Sequence, residues 1–538
     1  MKKIIYMMLA VSVIAGSTSC VGSLDQYPHS TSTANDVYTS AEGYQQVLSG
    51  IYAAFIQRIS SVSSEARSQN YLRTLTMFQD CSTDSCDPIW LFGETLTDVN
   101  GLSWTASNMW CSAMYYHIYN IVAMCNDFIS SANNEDLLSR LSESDRARVE
   151  EFKSEARFLR AYAYSHAIDF YNKMPFVTEA DGVGSYIPQT YDRSQMFGFL
   201  VQELSEIAET LDTDNYGHAT RGAAYALLAR IYLNGETWTG TPYYTECISA
   251  CKKVLEEGYG LEDDYSRLFN GDNHLRAMKG GEIIFTLACD GTYTTTWDAT
   301  TFLVCGQVLD GFADAVDIYG NDGAKKAWNN LRARPQLADS FEYGDSRNLI
   351  IAYDRKSNGD GTYSETQRSK DITAHDDATT GYRICKWTNT TDEGEPASFC
   401  GEGGGANTDF PVLRLAEVYL MIGEACLRGG EGVTRSEALG YVNEVRTRAF
   451  GSNSYNIGDS DFDLDFILDE RLREFYLECI RRTDLIRFGR YTSGYNWQWK
   501  GNVQEGEDVD SKYRFLAIPE AEYSVNPNTQ TINNELGF

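Results

Sequence analysis

Behind its N-terminal leader the chain has no long apolar run, and a helix that crosses a bilayer needs roughly 20 consecutive apolar residues. Basic residues are scarce as well: 45 Lys and Arg face 76 Asp and Glu over 538 residues, a formal net charge of −31. Nucleic acids and anionic headgroups are bound by basic surfaces, so both are poor partners for this chain. No Pro-rich or Ser-rich linker divides it, and the Gly/Asp/Asn/Thr-rich stretches 290–300, 356–381 and 388–408 read as surface loops inside one unit. Reactive motifs are also missing. The six histidines (29, 117, 166, 218, 274 and 375) form no HExxH, and there is no CxxC, no GxSxG and no GxxxxGK[ST]. The Gly-rich "GEGGGAN" at 401–407 follows no predicted strand and opens no predicted helix. The expectation is a protein that is not an enzyme. A glycoside hydrolase is the alternative, because 76 acidic residues always contain candidate pairs and the separation that matters is spatial.

What the chain does contain begins at residue 2. Lys2 and Lys3 precede an apolar run over 4–15, closed by Gly16, Ser17, Thr18 and Ser19, which is the pattern of a signal peptide over 1–19. A cysteine directly behind such small residues is where a bacterial lipoprotein is cut and diacylated, so "STSC" reads as a relaxed lipobox with Cys20 as the lipidated mature N-terminus. Acyl chains tether a protein to a membrane without spanning it. The other cysteines belong to an exported chain in which disulfides are permitted. Cys81 and Cys86 are spaced to bridge across a loop, whereas Cys247 and Cys251, at i, i+4 on a predicted helix, read as half-buried thiols.

The periodicity is mostly helical. Behind Ser40, a plausible N-cap, residues Tyr44, Val47, Leu48, Ile51, Tyr52, Phe55 and Ile56 follow the spacing of one helix face. Similar stripes run through 106–130, 143–171, 194–211, 219–234, 243–257, 412–428, 434–449 and 464–490. The segment beginning "ATRGAAYALLARIYLNG" is a helix pair about one tetratricopeptide period long, with Ala224, Ala229 and Ala250 where two helices must approach closely. "PVLRLAEVYLMIGEACLRGG" opens a second such pair far downstream, so the helical array is interrupted by an insertion, a common place for a binding site.

Aromatic residues make up 13% of the chain, and several tryptophans sit in polar, turn-rich surroundings: Trp90, Trp104, Trp297, Trp497 and Trp499. An exposed indole needs a cover. Sugar rings supply one, because the slightly positive C–H bonds of a pyranose face meet the negative face of the aromatic quadrupole.

Five blocks, "EARFLRAYAYSHAIDFYNKMPFV", "ATRGAAYALLARIYLNG", "PVLRLAEVYLMIGEACLR", "ERLREFYLECIRRTDLIRFGRY" and "FLAIPEAEYSVNPNTQTINN", resemble in this order the SusD/RagB family of outer-membrane nutrient-binding lipoproteins. The resemblance implies a mainly α fold, with four tetratricopeptide-like helix pairs as scaffold and a loop-rich, partly irregular half carrying a glycan site. One domain over 20–538 follows: scaffold at about 40–260 and 410–490, insertion at about 261–409, and a C-terminal segment over 491–538. The resemblance further implies a lipid-anchored, surface-exposed place on the outer membrane and a TonB-dependent SusC-like transporter that the protein caps as a lid. Glu470, Arg471, Arg482 and Asp484 read as helix-packing ion pairs.

Segments such as "RTLTMFQDCSTDSCDPIW" and "TTFLVCG" are similar to starch-binding members, whose site is an arc of aromatics matched to a curved α-glucan or malto-oligosaccharide. Carried over by position, Trp90, Phe302 and Trp328 form the arc and Arg73 donates to glucose hydroxyls. Pro88 stands where those members have a second Trp, Gly93 where they have Asn, and Phe302 where they have Tyr. Asp290, Asn407 and Asp409 offer oxygen ligands for a structural Ca²⁺, and no other cofactor is expected.

Overall fold

Ser40 accepts a hydrogen bond from the Gly43 N–H at 3.4 Å, and behind this cap α1 (Ala41–Ala53) buries Tyr44, Leu48 and Ile51 along the face that their spacing marks. The structure is a computed structural model that describes residues 37–58, 69–89, 94–181, 186–277, 280–295, 297–309, 312–321, 327–400 and 403–538. Cys20 and Trp90 lie outside the described residues.

A short helix α2 (Tyr71–Thr76) runs into a π-helical turn over Met77–Cys81. The scaffold then continues as α3 (Met109–Ala132), α4 (Glu143–Phe170), α5 (Arg193–Ile207), α6 (Arg221–Thr239) and α7 (Tyr244–Glu256), each packed on the next. After the insertion, which carries α8 (Ala299–Gln307), the array resumes with α9 (Leu415–Leu427) and α10 (Arg435–Phe450). α9 packs directly on α7 and on α10, so an interruption in sequence is no interruption in space. Ala224, Ala229 and Ala250 are buried as their spacing requires. The approach of α9 to α10 is closer still: a Cβ at Gly423 would meet Val442 Cγ2 at 2.7 Å. Cys247 and Cys251 do lie on one helix, but both are fully buried and not half-buried, because α7 turns that face toward the array.

Two small sheets organise the insertion. β1 (Cys86–Pro88) pairs antiparallel with β3 (Leu331–Ala333) in a four-stranded sheet of order β1-β3-β5-β4, completed by β4 (Ile350–Ile351) and β5 (Tyr382–Ile384). β2 (Ile283–Leu287) and β6 (Phe410–Arg414), near the two ends of the insertion, pair with each other, and β6 leads straight into α9. The helical array thus offers one side on which a long insertion is fastened at both ends.

The stripe over 464–490 is not one helix. α11 (Leu464–Phe475) and α12 (Arg481–Arg487) are separated by a turn in which Leu477 and Cys479 have φ of 56° and 63°. Such angles are costly for residues with a Cβ. Here the Asp80 carboxylate accepts the N–H groups of both residues at 2.9 Å each, and the turn is held from outside. An apolar stripe registers the burial on both sides of such a break and not the break itself.

Around α11 the four residues read as packing ion pairs are ion pairs, all buried. Glu470 meets Arg347 at 2.7 Å, Arg473 at 2.7 Å and Arg446 at 3.1 Å; Arg471 meets Asp484 at 2.8 Å; Arg482 meets Asp169 at 2.9 Å. The three guanidinium groups hold the Glu470 carboxyl down at about 2 against the opposing effect of burial. The acidic stretch 458–466 behaves as a solvated loop with a cap: Asp463 accepts the Phe466 N–H at 2.8 Å and starts α11.

Candidate functional site

α8 is the floor of the site. Its N-cap residue, Asp298, is fully buried and makes no capping bond; its carboxylate is taken instead by Arg58 from the end of the first helical segment and by Arg73 of α2 at 3.2 Å. At the other end of α8 the segment 328–330 is tied down by three backbone bonds: Trp328 N–H to Cys305 O at 2.9 Å, Asn329 N–H to Val308 O at 2.8 Å and Asn330 N–H to Gly306 O at 2.7 Å. Both flanks of the helix therefore have fixed positions, and each carries a tryptophan.

Three rings come together there. Trp328 lies 5.9 Å from Trp297, centroid to centroid, with 20° between the planes, and 6.2 Å from Phe302 with 27° between the planes. Separations of 4.5–7 Å between near-parallel rings are those of offset stacking. Exposure rises along the row: Phe302 is 0% exposed, Trp328 half-buried and Trp297 48% exposed. Arg73 adds a cation beside the innermost ring, its Cζ 4.2 Å from the Phe302 centroid.

Of the expected site residues, the structure brings Phe302, Trp328 and Arg73 together, but with altered roles. Phe302 sits on the inward side of α8 beneath Trp328 and has no surface for a ligand; it is the backing of the arc and not a contact ring. Arg73 is not open to donate to hydroxyls. It is 5% exposed, its Nη2 meets both Glu94 oxygens at 2.6 and 2.7 Å, and its Nη1 meets Asp298. It joins α2, the 94–96 segment and α8 into one frame. Trp90 falls outside the described residues, but the chain leading to it is placed: Pro88 pairs with Leu331, and the Ile89 N–H donates to Asn330 O at 2.7 Å, two residues from Trp328. The residue that carrying over by position missed is Trp297. Its signal was in the sequence, a tryptophan in a Thr-rich loop immediately before the buried cap Asp298 of α8.

The other loop tryptophans divide by burial. Trp104 and Trp497 are core residues, and Trp104 donates its indole N–H to Phe515 O at 3.0 Å. Trp499 is half-buried, bonded to Ile372 O at 3.0 Å and covered by His375, 3.9 Å between ring centroids.

Asp290, Asn407 and Asp409 converge, but their side chains are committed to the protein. Asp290 Oδ1 accepts the Thr292 and Tyr293 N–H groups at 2.7 Å each. Asn407 donates to Gly271 O at 3.0 Å. Asp409 accepts Tyr216 OH at 2.6 Å and Cys289 N–H at 2.8 Å, and burial pushes its carboxyl up to about 7. A Ca²⁺ site needs six to eight oxygens from ionised or carbonyl ligands. These three residues do not fit it, and among the described residues no group of three or more His, Cys, Asp or Glu side chains is placed to hold a metal ion.

Fold and site together define a helical-repeat protein that presents a backed aromatic ledge on an insertion. Residues 352–534 match the family described as the SusD family, and residues 29–233 match one described as "Starch-binding associating with outer membrane". The chain is 28% identical to the starch-binding protein SusD of Bacteroides thetaiotaomicron over 98% of both chains, and 23% identical to a SusD-like protein of Bacteroides ovatus over 79% of this chain and 75% of that one. Among solved structures, surface glycan-binding protein A from B. thetaiotaomicron in complex with laminarihexaose superposes with a TM-score of 0.65 at 18% identity, covering 91% of this chain and 98% of that one. A SusD superfamily protein from Bacteroides vulgatus gives 0.67 at 18% identity, covering 91% and 97%. The chain belongs to the SusD family, whose members are associated with the outer membrane.

Proposed function

We propose that this protein is a non-catalytic, surface-exposed outer-membrane lipoprotein that captures starch or malto-oligosaccharides on the Trp297–Trp328 ledge and delivers them to a TonB-dependent SusC-like transporter, for which it serves as lid. The observation that carries the reading is the exposed Trp297 ring stepped against Trp328 over a buried Phe302. A 5.9 Å centroid separation with 20° between the planes is that of offset rings, and the 48% exposed Trp297 is the more open of the two to a sugar, the half-buried Trp328 the less. Stepped faces suit a chain that curves, as an α-glucan does. Neighbouring sugars of one chain, each on its own ring, bind as linked contacts, the second with the effective concentration set by the first.

Starch is favoured over other glycans by the likeness to a starch-binding relative along nearly the whole chain. Lipid anchoring rests on the Cys20 pattern, and the transporter on the family. Binding without cleavage fits the ledge, where the described acids beside the rings, Glu94 and Asp298, are both ion-paired with Arg73. Affinity electrophoresis in gels containing amylopectin, dextran, xylan or laminarin tests the reading: retardation is expected in amylopectin alone. Retardation in another gel reassigns the glycan, and release of reducing ends on long incubation with amylopectin would make the protein a hydrolase.

A further inference from the structure

Cys81 and Cys86 stand at the two ends of one short turn. Cys81 closes the π-helical turn behind α2 and Cys86 opens β1; their Sγ atoms are 3.3 Å apart and both residues are fully buried. An S–S bond is about 2.04 Å long, so joining them asks each sulfur to move only about 0.6 Å.

The frame that sets the sulfurs face to face is built from other groups. The Thr83 N–H and hydroxyl donate to Asp80 O at 3.1 and 2.6 Å, and the Ser85 N–H donates to Thr83 Oγ1 at 3.2 Å. Asp84, between the two cysteines, is gripped by Arg481 at 2.8 and 2.6 Å. Arg334 reaches across from the end of β3 and donates to Cys86 O at 3.1 Å and Cys81 O at 3.4 Å. Both backbone carbonyls and the turn between them are thus fixed independently of the thiols.

A protein bound for the outer membrane passes through an oxidising compartment. We propose that Cys81 and Cys86 are joined as a disulfide in the exported protein, formed during folding by exchange with a periplasmic thiol–disulfide oxidoreductase. One cysteine, as its thiolate, attacks the oxidant's disulfide and gives a mixed disulfide; the other displaces the oxidant's sulfur from it. One S–S bond forms in this chain and one breaks in the oxidant. The oxidant leaves as a dithiol carrying the two electrons, and the two thiol protons end on its sulfurs.

The timing follows from the burial. In the folded protein nothing the size of an oxidoreductase reaches the buried pair, and burial beside Cys81 pushes the Cys86 thiol far above its usual range. Exchange therefore precedes the pairing of β1 with β3. Once made, the bridge closes the turn from which β1 sets out toward Ile89 and the segment beside Trp328.

The test is a thiol count on the full-length protein recovered from outer membranes, quenched in acid, unfolded in guanidinium with an alkylating agent and no reductant, and digested. The peptide containing both cysteines is expected without alkyl groups, two hydrogens lighter than its dithiol form, and to take up two alkyl groups only after reduction. Two alkyl groups on that peptide without reduction overturns the proposal. The measurement uses the wild-type chain, so it does not depend on a variant folding.

Discussion

Trp297 lies over Trp328 with 20° between their planes, the outer ring 48% exposed and the inner one half-buried. The inner indole is therefore held from two sides, by Trp297 and by Phe302, and is the better anchored of the two. Truncating a central aromatic anchor costs about 2 kcal/mol or more of binding. Trp328→Ala is expected to weaken amylopectin binding about 30-fold and abolish retardation in the gel, and Trp297→Ala to weaken it about tenfold, or ~1.4 kcal/mol. Trp297→Ala is expected to leave the far-ultraviolet circular dichroism and the unfolding midpoint unchanged. Wild-type mobility of both variants would move the site elsewhere.

Arg73 gives a sharper division between holding the site and touching the ligand. It is the common partner of Glu94 and of the fully buried Asp298. Removing one member of a buried pair costs about 3–5 kcal/mol where the other is left uncompensated, and here Arg58 stays on Asp298 and offsets part of that loss. Arg73→Ala is therefore expected to lower the urea midpoint strongly, with any fall in glycan affinity following from displacement of α8. A variant that unfolds at the wild-type midpoint yet binds amylopectin tenfold more weakly would show that the guanidinium meets the sugar.

Asp80 sets a pH dependence with a definite sign. Burial raises its carboxyl from the usual value near 3.8 to about 7, and the two N–H bonds from Leu477 and Cys479 only partly oppose this. The folded state therefore holds the proton more tightly than the unfolded chain does. The contribution is fully present below about pH 4 and is lost as pH rises toward 7. Asp80→Asn is expected to flatten the fall in stability between pH 4 and 7, measured as urea midpoints in a pH series. A variant whose midpoints run parallel to wild type across that range would remove Asp80 from the account.

Helix positions were legible in the sequence because burial is periodic: the stripe over 243–257 becomes Tyr244–Glu256, and that over 434–449 becomes Arg435–Phe450. The break between α11 and α12 was not, because its cause, Asp80, lies almost 400 residues away along the chain. The site was half legible for the same reason. A tryptophan in a Thr-rich loop signals an exposed ring, but only the packing shows that Trp297 is the ring that meets Trp328. Phe302 lies beside Trp328 and Arg73 beside Phe302, but both are buried, so neither has the exposure a ligand contact requires. A residue type says what a side chain is able to do, whereas neighbours such as Glu94 and Asp298 decide whether it is free to do it.

The proposed membrane attachment rests on Cys20. Among the described residues no helix is long and apolar enough to cross a bilayer, and a chain with 31 excess negative charges is repelled by anionic headgroups. The function proposed above puts acyl chains on Cys20, where each buried CH₂ contributes about 0.8 kcal/mol and two chains hold where one does not. Cys20→Ala is expected to move the protein from the membrane pellet to the soluble fraction, with amylopectin retardation unchanged, because Trp297 and Trp328 of the ledge lie on the insertion. Metabolic labelling with a fatty acid is expected to mark wild type and not the variant. If the variant still pellets with membranes after a carbonate wash, an attachment other than lipid holds the protein there.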